Sequence, residues 1–225
     1  MSPRFADRAE AARLLAREVA ARMLPAPVVV LALPRGGVPI AAELARLLHA
    51  PLDLLLVRKI GVPWQPELAI AAVVDGAAPD IVFNDEVMAC SRIDPDYIEA
   101  QVLAQLHEIH RRRGLYLQGR PAVPLKGATV VVVDDGIATG TTLRVALKAL
   151  RRQAPARLVL AVPVAPHDVL QSLRGEVDEV VCLAEPDPFV AIGCHYRDFH
   201  QVGDAEVIAA LDAAHAALAR PQADD

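Results

Sequence analysis

Four consecutive valines, Val130 to Val133, run directly into two carboxylates, Asp134 and Asp135. A strand with one face in water alternates apolar and polar side chains, so this unbroken β-branched run predicts a strand covered on both faces. Strands of that kind belong to parallel sheets with helices packed on each side. Gly136, Ile137, Ala138, Thr139, Gly140, Thr141 and Thr142 then form a turn of small residues, and the apolar-periodic run Leu143–Leu150 predicts a helix. Such a turn and helix start offer unpaired N–H groups to a phosphate. The two carboxylates can accept hydrogen bonds from neighbouring hydroxyls. The segment has the chemistry to hold a phosphorylated sugar.

The rest of the chain repeats the strand–helix alternation. Apolar spacing predicts a helix over Asp7–Met23, ended by Pro25 and Pro27, then a strand Pro27–Leu33, a Gly36–Gly37 turn and a helix Val38–His49. Further strands are expected at Leu52–Val57, closing on Arg58 and Lys59, at Leu68–Val74 and at Ile81–Phe83, with a loop at Gly61–Pro66. Asp94 as N-cap and Pro95 at the first position open a polar helix to about Arg113, whose Arg111-Arg112-Arg113 end complements the helix dipole. Strands Arg157–Pro163 and Asp178–Leu183 and helices His167–Arg174 and Val207–Leu218 complete the order. The expected fold is α/β, with a mostly parallel central sheet flanked by helices and ligands at the carboxyl ends of the strands.

At 225 residues the chain suits a single domain over 1–225. The net charge of −5 and the lack of a concentrated basic face argue against nucleic acid as a partner. No run approaches the ~18 uninterrupted apolar residues of a membrane span. The N-terminus does not read as a secretory signal. Cys90, Cys182 and Cys194 lack metal spacing and read as buried thiols in a reducing compartment, so a cytoplasmic location is expected.

The string Val130–Thr142 closely resembles the phosphoribosyl-diphosphate (PRPP) signature of the type I phosphoribosyltransferases. Its one loose position is Gly136, where that family more often places an aliphatic residue. The resemblance runs from about Pro27 to Phe199. It implies a type I phosphoribosyltransferase-like fold with a core at about 27–184, a small hood at about 76–126 and 185–203, and a flexible lid loop. It implies PRPP contacts from Asp134, Asp135, Ile137, Ala138, Thr139, Gly140, Thr141 and Thr142, with Mg²⁺ at Asp134 and Asp135. In Leu33-Pro34-Arg35-Gly36-Gly37, Arg35 and the glycines match a pyrophosphate-binding turn, often built on a non-proline cis peptide. The two glycines would allow close approach and positive φ. Lys59 matches a basic strand end that approaches the same group. Arg35, Lys59 and Asp135 are the catalytic candidates.

Trp64 in the lid segment fits a closing loop and an ordinary packed aromatic equally well, and Glu67 is a general-base candidate whose other reading is a solvated loop acid. The run Glu185–Gly193 is similar to the base-binding segment of purine enzymes, with Phe189 and Val190 as base contacts. Packing of that loop on the core is an equal reading. Asp198 is a further metal candidate by the same likeness. Ala138 stands where oxopurine enzymes carry an Asp, which argues against a hypoxanthine or guanine acceptor. The resemblance thus implies a Mg²⁺-dependent transfer of phosphoribosyl from PRPP to a nitrogenous base, purine-like by a slender margin. A non-catalytic PRPP or nucleotide sensor and a related hydrolase are the other readings. A symmetric homodimer is supported only by the general commonness of that arrangement.

Overall fold

The computed structural model describes residues 4–76, 79–90 and 93–219, apart from the side chains of Glu67 and Asp85. Helix α1 (Arg8–Ala20) starts where the Asp7 carboxylate accepts from the amide of Glu10, and it buries Ala11, Leu15 and Val19. Strand β1 (Val28–Ala32) leads through Leu33–Gly36 into α2 (Gly37–Leu48), which ends on the left-handed His49. Strand β2 (Leu52–Leu54) follows.

The chain then leaves this sheet. β3 (Val57–Val62), β4 (Gln65–Val74) and β5 (Asp80–Phe83) form a separate antiparallel sheet. Helices α3 (Asp85–Cys90) and α4 (Pro95–Leu117) follow it. The chain returns as β6 (Thr129–Val133), α5 (Thr141–Arg152), β7 (Arg157–Val164), α6 (His167–Leu173) and β8 (Glu179–Ala184). A single 3₁₀ turn (Ile192–His195) and α7 (Asp204–Leu218) close the described chain.

The main sheet has the order β2-β1-β6-β7-β8 and every pairing in it is parallel, as the valine run predicts. β6 lies in the middle, and all five of its residues are buried. Its alternate side chains enter two separate cores: Val131 and Val133 pack with α1 and α2, whereas Val130 and Val132 pack with α5. Sequence order moves outward from β1 to β2 and then resumes on the other side of β1 with β6. That reversal makes the β1/β6 boundary the switch point at which α/β sheets bind ligands. The amide of Leu33 donates to the carbonyl of Val133 at 2.9 Å, which aligns the two strand ends there.

Several expectations about the middle of the chain are corrected. The strand expected over Leu52–Val57 ends at Leu54, and Arg58 and Lys59 lie inside β3, paired with Val73 and Ala72. Most of the expected Gly61–Pro66 loop is strand: β3 runs to Val62 and β4 starts at Gln65, which leaves Pro63 and Trp64 as the hairpin turn, with register slips on either side of Gly61. Helix α3 lacked a periodic signal, and α4 runs on to Leu117, so Arg111–Arg113 are not in its last turn. Arg111 and Arg112 pair with Glu108 instead. Cys90 and Cys194 are exposed and Cys182 is half-buried, so the thiols are not a buried set. Among the described residues no helix is long and apolar enough to cross a membrane.

Arg113 joins the second sheet to the first. Its guanidinium bonds Asp75 at 2.5 Å, just past β4, and Asp53 of β2 at 3.2 Å. Asp53 also accepts from the amide of Val123 at 2.9 Å. Burial pushes the Asp75 carboxyl above its ordinary range despite Arg113, the cation it shares with Asp53. Removing one partner of a buried ion pair costs about 3–5 kcal/mol. Arg113→Ala is therefore expected to lower the unfolding free energy by about 3 kcal/mol in urea titration. A loss below about 1 kcal/mol would show that the triad contributes no more than a surface pair.

Candidate active site

Asp134 and Asp135 leave β6 at the switch point, and the Pro34–Gly37 turn leaves β1 beside them. A cleft of about 480 Å³ is lined by Arg8, Pro34, Arg35, Gly36, Asp134, Asp135, Ile192 and Phe199–Val202. The turn and the acidic pair are in van der Waals contact. A Cβ on Gly36 would lie 2.0 Å from Asp135 Oδ2, and one on Gly37 would lie 2.7 Å from the Val133 carbonyl. Gly36 has φ −60° and ψ −35°, an ordinary helical conformation. At Gly36 the lack of a side chain provides room for Asp135, and the positive φ expected there is not used. The non-proline cis peptide of this turn is Pro34–Arg35.

The turn after the acidic pair has little freedom. A Cβ at Gly136 would meet Ile192 Cγ2 at 2.6 Å and Val164 Cγ1 at 3.0 Å. The aliphatic residue usual in the family would collide there, which accounts for the loose position in the signature. Ile137 is buried in the α5 core, and its amide donates to the Val164 carbonyl at 2.9 Å. Ala138 and Thr139 are exposed. Gly140 caps α5 with φ +69°, a left-handed conformation suited to glycine. The first helical amide bond is Arg144 to Gly140, so among the described residues the amides of Ala138 through Leu143 donate to no protein acceptor. They form a row of free donors at a helix N-terminus, the arrangement an anion binds.

The charge on the acidic pair is handled unevenly. Asp134 accepts from the amide of Asp135 at 2.8 Å. Burial and the neighbouring Asp135 charge push its carboxyl well above the ordinary range. Asp135 is also raised by burial, but Arg8 opposes that shift. Arg8 Nε and Nη2 both donate to Asp135 Oδ2, at 2.9 and 2.8 Å. Arg8 Nη1 donates to the His200 carbonyl at 2.7 Å, and the guanidinium lies 3.9 Å from the Phe199 ring centroid. The Tyr196 hydroxyl donates to the Asp135 carbonyl at 2.6 Å.

Sequence reasoning missed Arg8. A signal was available: a cation at the first position of a helix opposes the dipole and calls for another partner.

The other candidates are divided. Arg35 lies in the acidic cleft and reaches Asp204 Oδ1 at 3.4 Å, an oxygen that also accepts from the Tyr116 hydroxyl at 2.7 Å. Lys59 lines a second cleft of about 410 Å³, between the antiparallel sheet and α5, together with Thr141, Thr142, Arg144 and Lys148. The structure therefore does not bring Lys59 and Arg35 into one cleft. One face of Phe189 is stacked on His195, with centroids 5.4 Å apart, and Val190 is exposed; neither residue lines the acidic cleft. Asp198 is exposed and bonded to His200. Trp64 is 66 % exposed at the hairpin turn, which disfavours a packed role. The side chain of Glu67 lies outside the described residues. Among the described residues no three His, Cys, Asp or Glu side chains group as a metal site.

A parallel sheet with an acidic pair and a phosphate-type loop at its switch point defines the type I phosphoribosyltransferase class. Residues 7–198 match the phosphoribosyl transferase domain family, and the chain belongs to that family. Proteins from two strains of Mycobacterium tuberculosis, each carrying a provisional phosphoribosyl transferase name, are 46% identical over 98% of this chain. The chain spans 49% of the length of these curated relatives. A crystal structure of the Thermus thermophilus protein TT1426 is similar at 42% identity with a TM-score of 0.80, covering 92% of this chain and 97% of that one.

Two experiments test the geometry. Overpacking a tight site costs about 1–3 kcal/mol, so Gly136→Ala is expected to destabilise by that order, and Ile192→Ala in the same chain should recover most of the loss. Purely additive effects in chemical denaturation would mean that the 3₁₀ turn does not close over the signature. The second experiment concerns charge. A carboxyl raised in the folded state contributes stability that is complete below its unfolded pKa and is lost as pH rises through the folded value. Asp134→Asn should accordingly melt above wild type at about pH 8 and converge with it near pH 4 in calorimetry. A lower melting temperature at pH 8 would contradict the direction of the shift.

Proposed function

We propose that the chain is a phosphoribosyltransferase that moves the 5-phosphoribosyl group from PRPP to a nitrogenous base and releases pyrophosphate. The observation that carries this reading is that the acidic pair and the Arg35 turn line one cleft at the switch point, while the free amides of 138–143 follow the pair in the turn into α5, whose Thr141 and Thr142 line the neighbouring cleft with Lys59. The amides of Ala138 to Thr142 take the 5-phosphate. Asp134 and the unclamped oxygen of Asp135 accept from the ribose hydroxyls. Arg35, with the close backbone at Gly36 and Gly37, faces the pyrophosphate.

Mg²⁺ suits this donor set, because it takes hard oxygen ligands from one or two carboxylates and completes its shell with substrate oxygens and water. Asp134 and Asp135 would hold it, and its charge would offset that growing on pyrophosphate. Displacement at the anomeric carbon passes through an oxocarbenium-like state, so the protein's task is to hold the sugar and neutralise the leaving group. Lys59 joins that task when the β3–β4 hairpin closes toward the turn, as a lid would. Phe189 and Val190 supply base contacts. The acceptor is read as purine-like, since the 185–193 segment resembles purine enzymes while Ala138 removes the oxopurine Asp.

In this reading the chain is one cytoplasmic domain, with its core at about 27–184 and hood elements at about 76–126 and 185–203. Neither nucleic acid nor membrane is a partner, and a symmetric homodimer is the assembly to test. The alternative, a PRPP or nucleotide sensor, is disfavoured by the retention of Arg35 in the cleft.

The test is pyrophosphate release with PRPP, Mg²⁺ and a panel of bases. At least one base should exceed the no-base control. PRPP binding without any base-dependent release would favour the sensor. Asp134→Asn combined with Asp135→Asn should abolish PRPP binding in calorimetric titration while the circular dichroism spectrum stays folded, and wild-type-like affinity would sink the site assignment.

A further inference from the structure

We propose that Arg8 is a positioning residue of the PRPP site: it clamps one oxygen of Asp135 and the backbone of His200, and so sets the acidic pair against the C-terminal wall of the cleft. The proposal rests on the PRPP reading above. Arg8 comes from α1, ahead of the first strand, yet it is only 7% exposed and lines the cleft with Asp134, Asp135 and Arg35. Three of its nitrogens are engaged. Two donate to Asp135 Oδ2 and the third to the His200 carbonyl. The guanidinium plane is held by its contact with Phe199. A forked, planar cation can meet these demands together, and a lysine ammonium cannot.

The arrangement reaches beyond fold stability because Arg8's partners are themselves cleft-lining groups. Asp135 lies between Arg8 and the bare Cα of Gly36, and its Oδ2 occupies the space that a side chain at 36 would take. With Oδ2 clamped, Oδ1 and the Asp134 carboxylate remain as the acceptors of the pair. Without the clamp Asp135 Oδ2 loses both guanidinium donors, and the carboxylate is free to rotate out of the position that Arg8 gives it. A rotated carboxylate no longer presents the acceptor that a ribose hydroxyl requires. The Phe199–Val202 segment would also lose its tie to the signature. Its remaining link to the acidic pair runs through Tyr196, whose hydroxyl bonds the Asp135 backbone and leaves the carboxylate alone.

The experiment is calorimetric titration of PRPP with Mg²⁺ into wild type, Arg8→Gln, Arg8→Lys, Asp135→Asn and the Arg8→Gln/Asp135→Asn double variant. The folded fraction of each is fixed by circular dichroism at the same temperature. PRPP affinity is expected to fall about tenfold or more in folded Arg8→Gln, with little rescue in Arg8→Lys. The double variant should bind no more weakly than Asp135→Asn, because Arg8 acts through that carboxylate. Folded Arg8→Gln that binds within about twofold of wild type overturns the proposal, as does full additivity in the double variant. If Arg8→Gln fails to fold, Arg8→Lys carries the test, and wild-type-like affinity in it is equally decisive. Wild type that does not bind PRPP overturns the underlying reading and this proposal with it. Binding by wild type with no effect at Arg8 overturns this proposal alone.

Discussion

Two carboxylates at the end of a strand with no exposed face create the constraint around which the site is arranged. Burial disfavours ionisation of both acids, and the Asp135 charge disfavours that of Asp134 further. Three local features follow. The Asp135 amide turns back onto Asp134, Arg8 reaches across from α1 to Asp135, and the neighbouring turn gives up its side chain at Gly36 to leave room. Each feature comes from a different element. The geometry of the pair therefore depends on α1, β1 and β6 being assembled together. That dependence gives a physical reason for a glycine whose backbone angles are ordinary and for an arginine at an unfavourable helix position.

The parts of the molecule that were legible in the sequence are those whose cause is local. Val130–Val133 forms a buried strand because its own side chains demand cover, and Asp7 and Asp94 cap the helices that follow them. The acidic pair, the small-residue turn and the Arg35 turn lie at strand ends for the same kind of reason. What was not legible depends on partners distant in sequence. Lys59 reads as a strand terminus until β4 pairs with it. The Arg111–Arg113 run reads as a helix end, but α4 continues for another turn and Arg113 sits opposite Asp53 and Asp75. Arg8 lies 127 positions from Asp135, and the collision of an aliphatic residue at 136 depends on Ile192, which lies beyond β8. Local pattern predicts elements well and says little about which elements meet.

The second sheet shows how one long-range contact limits the mechanics of the rest. A pyrophosphate contacted by both Arg35 and Lys59 requires the β3–β4 hairpin to approach the β1 turn, because the two cations line different clefts. The base of that hairpin is not free to move. Asp75, just past β4, shares Arg113 with Asp53 of the main sheet, and separating them would strand buried charge at a cost of about 3–5 kcal/mol. Farther out the pairing slips at Gly61 and Trp64 is exposed, but Val62 is buried in the core and the Tyr97 hydroxyl of α4 donates to the Gly61 carbonyl at 3.0 Å. At Gly61 a Cβ would lie 2.3 Å from the Pro66 carbonyl, so the two strands approach closely where the register slips. The hairpin thus has a charged anchor at one end and, at the other, an irregular register still tied to the core through Val62 and to α4 through Tyr97, so that among its described side chains Trp64 at the tip is the most exposed apolar one. Any approach of Lys59 to the β1 turn has to work against both ties.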